Sequence, residues 1–367
     1  MSKQTLTLRE LNRTTLARQL LLERAAISPA AGIERFVGLQ AQRPISPFIA
    51  LWTRLQAFER ADLVNLIANR EVLKVTLMRA TLHLVTRADY LHLRGAIQPA
   101  LDAGLEDILK RREVGFDRER VLSLVRDFLS EAPRTFAEIS DHLSAALPDE
   151  DVGAMRYTAR TQLPLVQVPV DKDWSYPGNP QFALAEHWLG ESIPAESHLR
   201  DLIWRYLAAF GPASITDFQS WSGLGKMRET FAALRPELVV YQEETGRELF
   251  DLPGLPLLSA DVPAPVRFLP EFDNILLAHD KRSRIIADAH RSQVYLPGLR
   301  VRATFLVDGF VAGGWEVETK KGHATMQLEP FVPLMNAQRD ELAAEAEKLA
   351  RFIEPGAKSH TITFLEP

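Results

Sequence analysis

Thr135-Phe136-Ala137-Glu138 is the stretch from which the fold can be worked out. A threonine followed three residues later by a glutamate is a capping box, in which each side chain bonds the other residue's backbone N–H at the start of a helix. Apolar periodicity predicts a helix before it, over 118–130, and another after it, over 151–162. Two strand-like segments, 165–170 and 181–185, then complete the order helix, capped helix, helix, hairpin. That order is typical of a winged helix.

The same order recurs 79 residues further along the chain, where Ser214-Ile215-Thr216-Asp217 forms a second capping box. It lies between helical segments at 198–210 and 225–235, and strands follow at 238–241 and 248–251. The N-terminal part can be interpreted as a third, decorated copy, since helical patterns there lead into short strands at 73–78 and 81–85. No sequence identity relates the copies, so the repeat is one of architecture.

Beyond residue 261 the pattern becomes β-rich. Prolines interrupt the chain, strand-like segments occur at 266–269 and 284–287, a hairpin turning at Asp308-Gly309 is predicted over 301–318, and a helix follows over 336–353. We therefore expect an α+β protein with three tandem winged-helix units and a C-terminal, barrel-like β-rich unit around a C-shaped cleft. The expected boundaries are 1–115, 116–192, 193–260 and 261–367.

Composition limits the class of protein. Of the 367 residues 46% are hydrophobic and 25% charged, which is ordinary for a globular protein, and no apolar run approaches the ~20 residues of a membrane span. The absence of cysteine excludes disulfides and thiolate metal sites, and we expect a cytoplasmic protein. A net charge of −5 argues against a broadly basic nucleic-acid coat, but it leaves room for a local basic groove.

Gly38-Leu39-Gln40-Ala41-Gln42-Arg43-Pro44 is the candidate site. Pro44 disfavours helical geometry at Arg43, so the helix that carries Ile33 is expected to end near Gln40. If the chain then becomes extended, Gln40 and Gln42 could converge, and two neutral amides beside a cation could hold a water molecule. The alternative is a solvated helix end, which the motif alone favours.

Four stretches together resemble a known family. These are the glutamine stretch, Met78-to-Val85, Phe272-to-Arg284 and the hairpin Gly309-to-Trp315, and in this order they resemble the winged helix DNA-binding domain family of AlkZ-like and YcaQ-like DNA glycosylases. The resemblance covers nearly the whole chain. The Gln-x-Gln pair is short, and the stretches around His83 and His279 make the match more specific.

The resemblance implies a DNA repair enzyme that cuts the N-glycosidic bond of alkylated purines, including those in interstrand cross-links. It places Gln40 and Gln42 in the active site, in the Gln-x-Gln form, where a related branch has Gln-x-Asp and broader substrates. Glutamine cannot take a proton as aspartate does, so it can only orient a water and offer a carbonyl dipole. A cationic N7-alkylpurine would make this sufficient, because its glycosidic bond is already weak.

Further residues are DNA-binding candidates, each with a structural alternative. His83 is either a satisfied core histidine or an active-site wall, and Arg79 binds either a phosphate or a nearby acid. The cationic stretch 279–284 is either a DNA contact or a charged, solvent-exposed turn. The predicted DNA-binding residues are Arg43, Arg79, His83, His279, Lys281, Arg282 and Arg284.

The sequence thus predicts a monofunctional, cofactor-free DNA glycosylase, with Gln40 and Gln42 as catalytic residues. The motif contains no lysine that would indicate Schiff-base chemistry, and the sequence shows no metal-ligand spacing. The expected partner is double-stranded DNA carrying alkylated purines or cross-links, bound by a monomer that is associated with the nucleoid and not with a membrane. The rival hypothesis is a catalytically inactive winged-helix DNA-binding or regulatory protein.

Overall fold

The structure is a computed structural model that describes residues 4–366. The N-terminal region contains α1 to α5 and β1 to β4. Their bounds are β1 Thr5–Leu6, α1 Leu8–Arg18, α2 Pro29–Arg35, β2 Leu39–Gln40, α3 Ser46–Trp52, α4 Arg60–Ala68, β3 Val72–Thr76, β4 Leu82–Thr86 and α5 Arg87–Arg112. Oxygen-bearing side chains start these helices, since Thr7, Ser28 and Thr86 each accept a backbone N–H at the N-terminus of α1, α2 and α5.

The helix α2 ends earlier than the sequence predicted. It ends at Arg35, because Val37 and Gly38 both adopt left-handed backbone angles. A Cβ at Gly38 would lie 2.6 Å from Cγ1 of Val85, so glycine lets β2 approach β4 closely. The chain is extended at Gln40, within β2, which pairs with β4, whereas Gln42 lies in the bend that follows.

The two capping boxes are confirmed, at Thr135 with Glu138 and at Ser214 with Asp217. Around them the order helix, capped helix, helix, hairpin occurs twice, as predicted. The first copy contains α6 Arg118–Glu131, β5 Arg134–Thr135, α7 Phe136–Ala146, α8 Val152–Gln162, β6 Leu165–Gln167, β7 Gln181–Leu184 and α9 Ala185–Leu189. The second contains α10 Leu199–Phe210, α11 Ile215–Ser222, α12 Arg228–Leu234, β8 Val239–Glu243 and β9 Glu248–Asp251.

The C-terminal region is built on a five-stranded sheet. Its elements are β10 Arg267–Leu269, α13 Asn274–Leu277, α14 Arg291–Val294, β11 Tyr295–Leu296, β12 Arg300–Val301, β13 Thr304–Val307, β14 Phe310–Lys320, β15 His323–Pro330, α15 Asn336–Ile353 and β16 Ser359–Phe364. The predicted hairpin at Asp308-Gly309 is confirmed by β13 and β14. The strand predicted at 284–287 is wrong, since Arg282–Arg284 form a 3-10 turn and the next three residues extend no strand.

The barrel-like expectation is corrected by the sheet order β10-β13-β14-β15-β16. Within residues 4–366 no pairing joins β10 to β16, so this sheet is open. One face is covered by α15, whose Leu342, Ala346 and Leu349 lie at helical spacing and pack with Phe268 of β10 and Met326 of β15. A closed barrel is unnecessary because the helix already buries the apolar face.

Sheets also connect distant parts of the chain. A six-stranded sheet has the order β2-β4-β3-β6-β7-β5, in which Val75 pairs with Val166. The first strand, β1, runs parallel to β8, with Thr5 opposite Gln242. Buried ion pairs reinforce these connections, as in Arg18 of α1, which pairs in a fork with Asp251 at 2.7 and 2.8 Å. Among the described helices, none is long and apolar enough to cross a membrane.

Candidate active site at Gln40 and Gln42

Gln40 and Gln42 are attached to β4 in different ways. The backbone of β2 places Gln40 opposite His83. Beyond it, the Ala41 N–H donates to the Leu82 carbonyl at 2.7 Å, and the Leu82 N–H donates to Oε1 of Gln42 at 3.2 Å. The side chain of Gln42 therefore takes the place of a backbone carbonyl in the ladder, although the residue is otherwise exposed.

Gln40 is buried, and both its backbone and its side chain are held. Its Oε1 accepts a hydrogen bond of 2.7 Å from Nη2 of Arg79, and its backbone N–H donates to Oδ1 of Asn274 at 3.0 Å. Nδ2 of Asn274 in turn donates to the Gly38 carbonyl at 2.6 Å. Because a donor faces each carbonyl oxygen, the orientation of both glutamine amides follows from their partners.

Asn274 owes its position to a buried ion pair. It is the first residue of α13, and the N-cap Asp273 accepts two hydrogen bonds from Arg54, at 2.7 and 2.8 Å. Both partners are about 1% exposed, so the pair is fully enclosed. Sequence reasoning missed the role of Asn274, and its only signal was its place inside the stretch Phe272-to-Arg284.

Arg79 lies directly behind Gln40. Its backbone is left-handed, at φ 55°, and a Cβ at Gly223 would lie 3.2 Å from the Cα of Arg79, which shows how closely α11 approaches. Nη1 of Arg79 donates to the Trp221 carbonyl. Burial, and then the charge of Arg282, lower the pKa of Arg79 to about 10, so the guanidinium remains charged at neutral pH.

His83 is a buried, neutral histidine. Its Nδ1 lies 3.1 Å from the Thr81 carbonyl and donates to it. Burial, and then the charge of Arg79, lower the pKa of His83 to about 3. The ring therefore stays uncharged at neutral pH, and a proton on Nδ1 leaves Nε2 as an acceptor. Among residues 4–366 no Asp or Glu carboxylate hydrogen-bonds the side chain of Gln40 or Gln42.

The cationic stretch 279–284 is not a solvent-exposed turn throughout. His279 and Arg284 are buried, and Nη1 of Arg284 donates to Nε2 of His279 at 3.0 Å and to the Phe210 carbonyl at 3.3 Å. Arg282 is half-buried and donates to the His279 carbonyl, whereas Lys281 is exposed. The sequence pattern could not distinguish the buried residues of this stretch from the exposed one, because the partners of Arg284, Phe210 and Thr15, lie far away in the chain.

Two further features face solvent. Arg43 is exposed and only loosely paired with Glu271, at 3.5 Å. Leu299 is 93% exposed in the turn between β11 and β12, next to the exposed Arg300. This hairpin is anchored near the site, since the Tyr295 hydroxyl donates to the Leu276 carbonyl of α13 at 2.5 Å. Sequence reasoning missed Leu299, although Pro297-Gly298 signals a turn there.

The glutamine pair lies outside a large cleft of the protein. A cleft of about 1120 Å³ lies between the end of α1, the segment 262–267 and α15, and neither glutamine lines it. Gln42 and Arg43 instead lie on an open surface.

Comparisons with known proteins give a family, a relative and a shared fold. The model of the family described as "DNA glycosylase AlkZ-like" matches residues 33–352. An interstrand DNA cross-link repair glycosylase from Streptomyces sahachiroi is 30% identical over 158 residues, which are 41% of this chain and 41% of that relative. The matched part is thus under half the length of the curated relative. The solved Streptomyces sahachiroi DNA glycosylase AlkZ superposes with a TM-score of 0.79 at 21% identity, over 98% of this chain and 100% of that one, which shows a shared fold.

Proposed function

Because this chain belongs to the DNA glycosylase AlkZ-like family, we propose that it is a DNA repair glycosylase that hydrolyses the N-glycosidic bond of cationic N7-alkylated purines. We include among its substrates interstrand cross-links made of such purines, which the name of its Streptomyces relative suggests. The observation that carries the proposal is the pair of oriented amides at Gln40 and Gln42, with the half-buried cation of Arg79 behind Gln40.

The reaction needs little from the protein when the substrate is cationic. Water attacks C1′, the C1′–N9 bond breaks, and the purine leaves with the bonding electron pair, which neutralises its positive charge. The water gives up one proton to the solvent, and an abasic sugar remains. No general acid is required for this leaving group. Among residues 4–366 no Asp or Glu carboxylate hydrogen-bonds the side chain of either glutamine. The enzyme is monofunctional, since water and not an amine is the nucleophile.

Gln40 and Gln42 have different roles toward the attacking water. One lone pair of each Oε1 is taken, by the Arg79 guanidinium at Gln40 and by the neutral Leu82 N–H at Gln42. A carbonyl has a second lone pair, which remains for the attacking water. The charge of Arg79 weakens Gln40 as an acceptor, so Gln42 accepts the water's hydrogen bond and faces the developing sugar cation. Gln40 orients the water from the other side.

The exposed residues near the site make the contacts with DNA. Arg43 and Lys281 bind phosphates, and Leu299 with Arg300 touches the duplex from the β11–β12 hairpin. Arg79, His83 and Arg282 line the site beside Gln40. The buried His279 and Arg284 support the stretch that carries Lys281 from inside. The substrate is a duplex, so an open surface suits it better than an enclosed cavity does.

The scaffold of this enzyme is three winged-helix units, over 1–115, 116–192 and 193–260, with the β-rich unit 261–367, around a concave cleft. The recurrence of helix, capped helix, helix and hairpin supports the second and third units. The strands that cross the boundaries, β3 with β6 and β1 with β8, hold the units in a fixed arrangement. The protein acts as a cytoplasmic, nucleoid-associated monomer.

A catalytically inactive DNA-binding or regulatory protein is the rival, and base release separates the two. The test incubates the protein with duplexes that carry N7-methylguanine or a nitrogen-mustard cross-link. Free modified base and abasic sites are expected, and Gln40→Ala combined with Gln42→Ala should abolish them while duplex binding persists. Gln181→Ala, at an exposed glutamine of β7, is the matched control. Undiminished release by the double variant would refute the site, and duplex binding without any release would support the rival.

A further inference from the structure

Three potential metal ligands meet between α5 and the start of α10, and a fourth lies beside one of them. One ligand atom each from His92, His198 and Asp201 lies within 4.8 Å of the others. Nε2 of His92 is 2.9 Å from Oδ2 of Asp201, and the two imidazoles stack with centroids 3.9 Å apart. Glu196 adds a carboxylate oxygen 3.7 Å from Nε2 of His198. The cluster shares no residue with the glutamine site.

The backbone is built to bring these groups together. Gly95 lies three residues after His92, on the same side of α5. A Cβ at Gly95 would lie 2.1 Å from the Glu196 carbonyl oxygen and 2.8 Å from that of Ala195. The segment before α10 therefore lies directly on the helix backbone at Gly95, and it carries His198 over the ring of His92. This close approach of the two backbones requires a glycine at position 95. The backbone itself, and not only the flexible ends of surface side chains, therefore brings the groups together.

The donor set matches one class of metal ion. Two imidazoles and a carboxylate suit Zn²⁺, with bonds of about 2.0–2.2 Å, so that tetrahedral ligand atoms are about 3.3 Å apart. The contacts of 2.9 and 3.7 Å bracket that spacing. The two imidazoles are stacked, so their nitrogen lone pairs lie in nearly parallel planes, and the rings must turn toward each other to take the same ion.

We propose that His92, His198 and Asp201, with Glu196 as the fourth ligand, form a Zn²⁺ site that fastens the segment before α10 to α5. Sequence spacing gives no sign of such a site, because His92 and His198 are 106 residues apart and come together only through the packing at Gly95.

The direct test is calorimetric titration of ZnCl₂ into the full chain after removal of metal by EDTA and desalting. One Zn²⁺ per chain is expected, with a thermal unfolding midpoint that rises with Zn²⁺ concentration. His92→Gln and His198→Gln should each weaken binding about tenfold or more, on the scale by which even outer partners of a metal ligand matter. His187→Gln, at an exposed histidine of α9 outside the cluster, is the control and should leave affinity unchanged.

Gly95→Ala gives a sharper test, because it keeps all four ligands. Its methyl group must displace the backbone of Glu196, so Zn²⁺ affinity should fall although no ligand is lost. Failure of the wild-type protein to bind Zn²⁺ stoichiometrically would overturn the site. So would binding that survives both histidine substitutions. Unchanged affinity in Gly95→Ala would overturn the claim that packing on α5 builds the site.

Discussion

Nη2 of Arg79 donates a hydrogen bond of 2.7 Å to Oε1 of Gln40, while the other terminal nitrogen of the same guanidinium holds the Trp221 carbonyl. One half-buried cation thus joins β2 to the end of α11 and sets the orientation of the Gln40 amide. This relationship leads to a first prediction, about positioning.

Arg79→Met should lower the single-turnover rate of base excision about 10- to 100-fold, because a hydrogen bond to a charged group is worth about 1.5–3 kcal/mol. Duplex affinity should change less than the rate, since Arg79 acts through Gln40. Arg79→Lys keeps the charge but loses the fork, so an intermediate rate is expected. Arg70→Met is the matched control, because Arg70 also has a left-handed backbone and donates to a tryptophan carbonyl, that of Trp188, but does not contact Gln40. Equal rate losses in the two methionine variants would contradict the assignment.

Gly38→Ala should destabilise the protein and displace β2. The new methyl group meets Val85 at 2.6 Å, at a φ of +87°. Gly190→Ala is the control for backbone strain alone, because Gly190 has a φ of +71° and open space where the methyl group would be. Urea unfolding should show Gly38→Ala to be less stable than Gly190→Ala by about 1–3 kcal/mol, the usual cost of overpacking. Similar losses in both would mean that the contact with Val85 relaxes freely.

Asp273→Asn should cost about 3–5 kcal/mol of unfolding free energy, because it leaves the charge of Arg54 buried and unpaired. The same substitution should slow excision, since Asp273 also caps the helix that presents Asn274 to Gln40. Glu237→Gln removes the exposed ion pair with Arg200 and should cost less than about 1 kcal/mol. An Asp273→Asn protein as stable as Glu237→Gln would show that the enclosed pair contributes little.

His83 should make the protein less stable in acid. Its pKa is about 3 in the folded chain and about 6.5 when unfolded, so the unfolded chain binds more protons between these values. Stability is therefore lost as pH falls through that window, by about 2 kcal/mol between pH 7 and pH 5 from this one group. Unfolding free energies at the two pH values should differ less in His83→Asn than in the wild type. His187→Asn, at an exposed histidine, should keep the wild-type difference, and an unchanged difference in His83→Asn would show that His83 is not buried and neutral.

Arg43→Gln and Lys281→Gln should each weaken binding to undamaged and damaged duplexes alike. Each lost phosphate contact should reduce the slope of log affinity against log salt by about 0.9. The measurement is duplex affinity by fluorescence anisotropy at several salt concentrations. Lys320→Gln, at an exposed residue of β14 that pairs with Glu318, serves as the control. A slope that stays unchanged in both variants would remove these residues from the phosphate contacts.

Features that depend on adjacent residues could be predicted from the sequence. The capping boxes at Thr135 and Ser214 and the turn at Asp308-Gly309 are written in adjacent residues, and all three are present. Pro44 indicated only that no helix continues through Arg43, and the extended backbone at Gln40 depends on pairing with β4. The end of α2 was missed, because it depends on the left-handed backbone at Val37 and Gly38, where a side chain at position 38 would meet Val85 of another strand.

The remaining features could not be predicted, because they depend on contacts between residues that are distant in the chain. Asn274 bonds Gln40 across 234 residues, and the burial of Arg284 depends on Phe210 and Thr15. A cationic stretch looks the same in sequence whether its arginines face water or fill the interior. The metal-type cluster at His92 is a further example, since it exists only where the segment before α10 crosses Gly95.

The pairing of β1 with β8 also bears on how the chain is made. Thr5 finds its partner only at Gln242, so the first strand leaves the ribosome long before that partner exists. At synthesis rates of about 5–20 residues per second, the wait is on the order of ten seconds to under a minute. During that time Leu6 and Leu11, which pack with Leu249 in the finished protein, are exposed on the nascent chain. The strand β1 is thus made well before the strand that orders it.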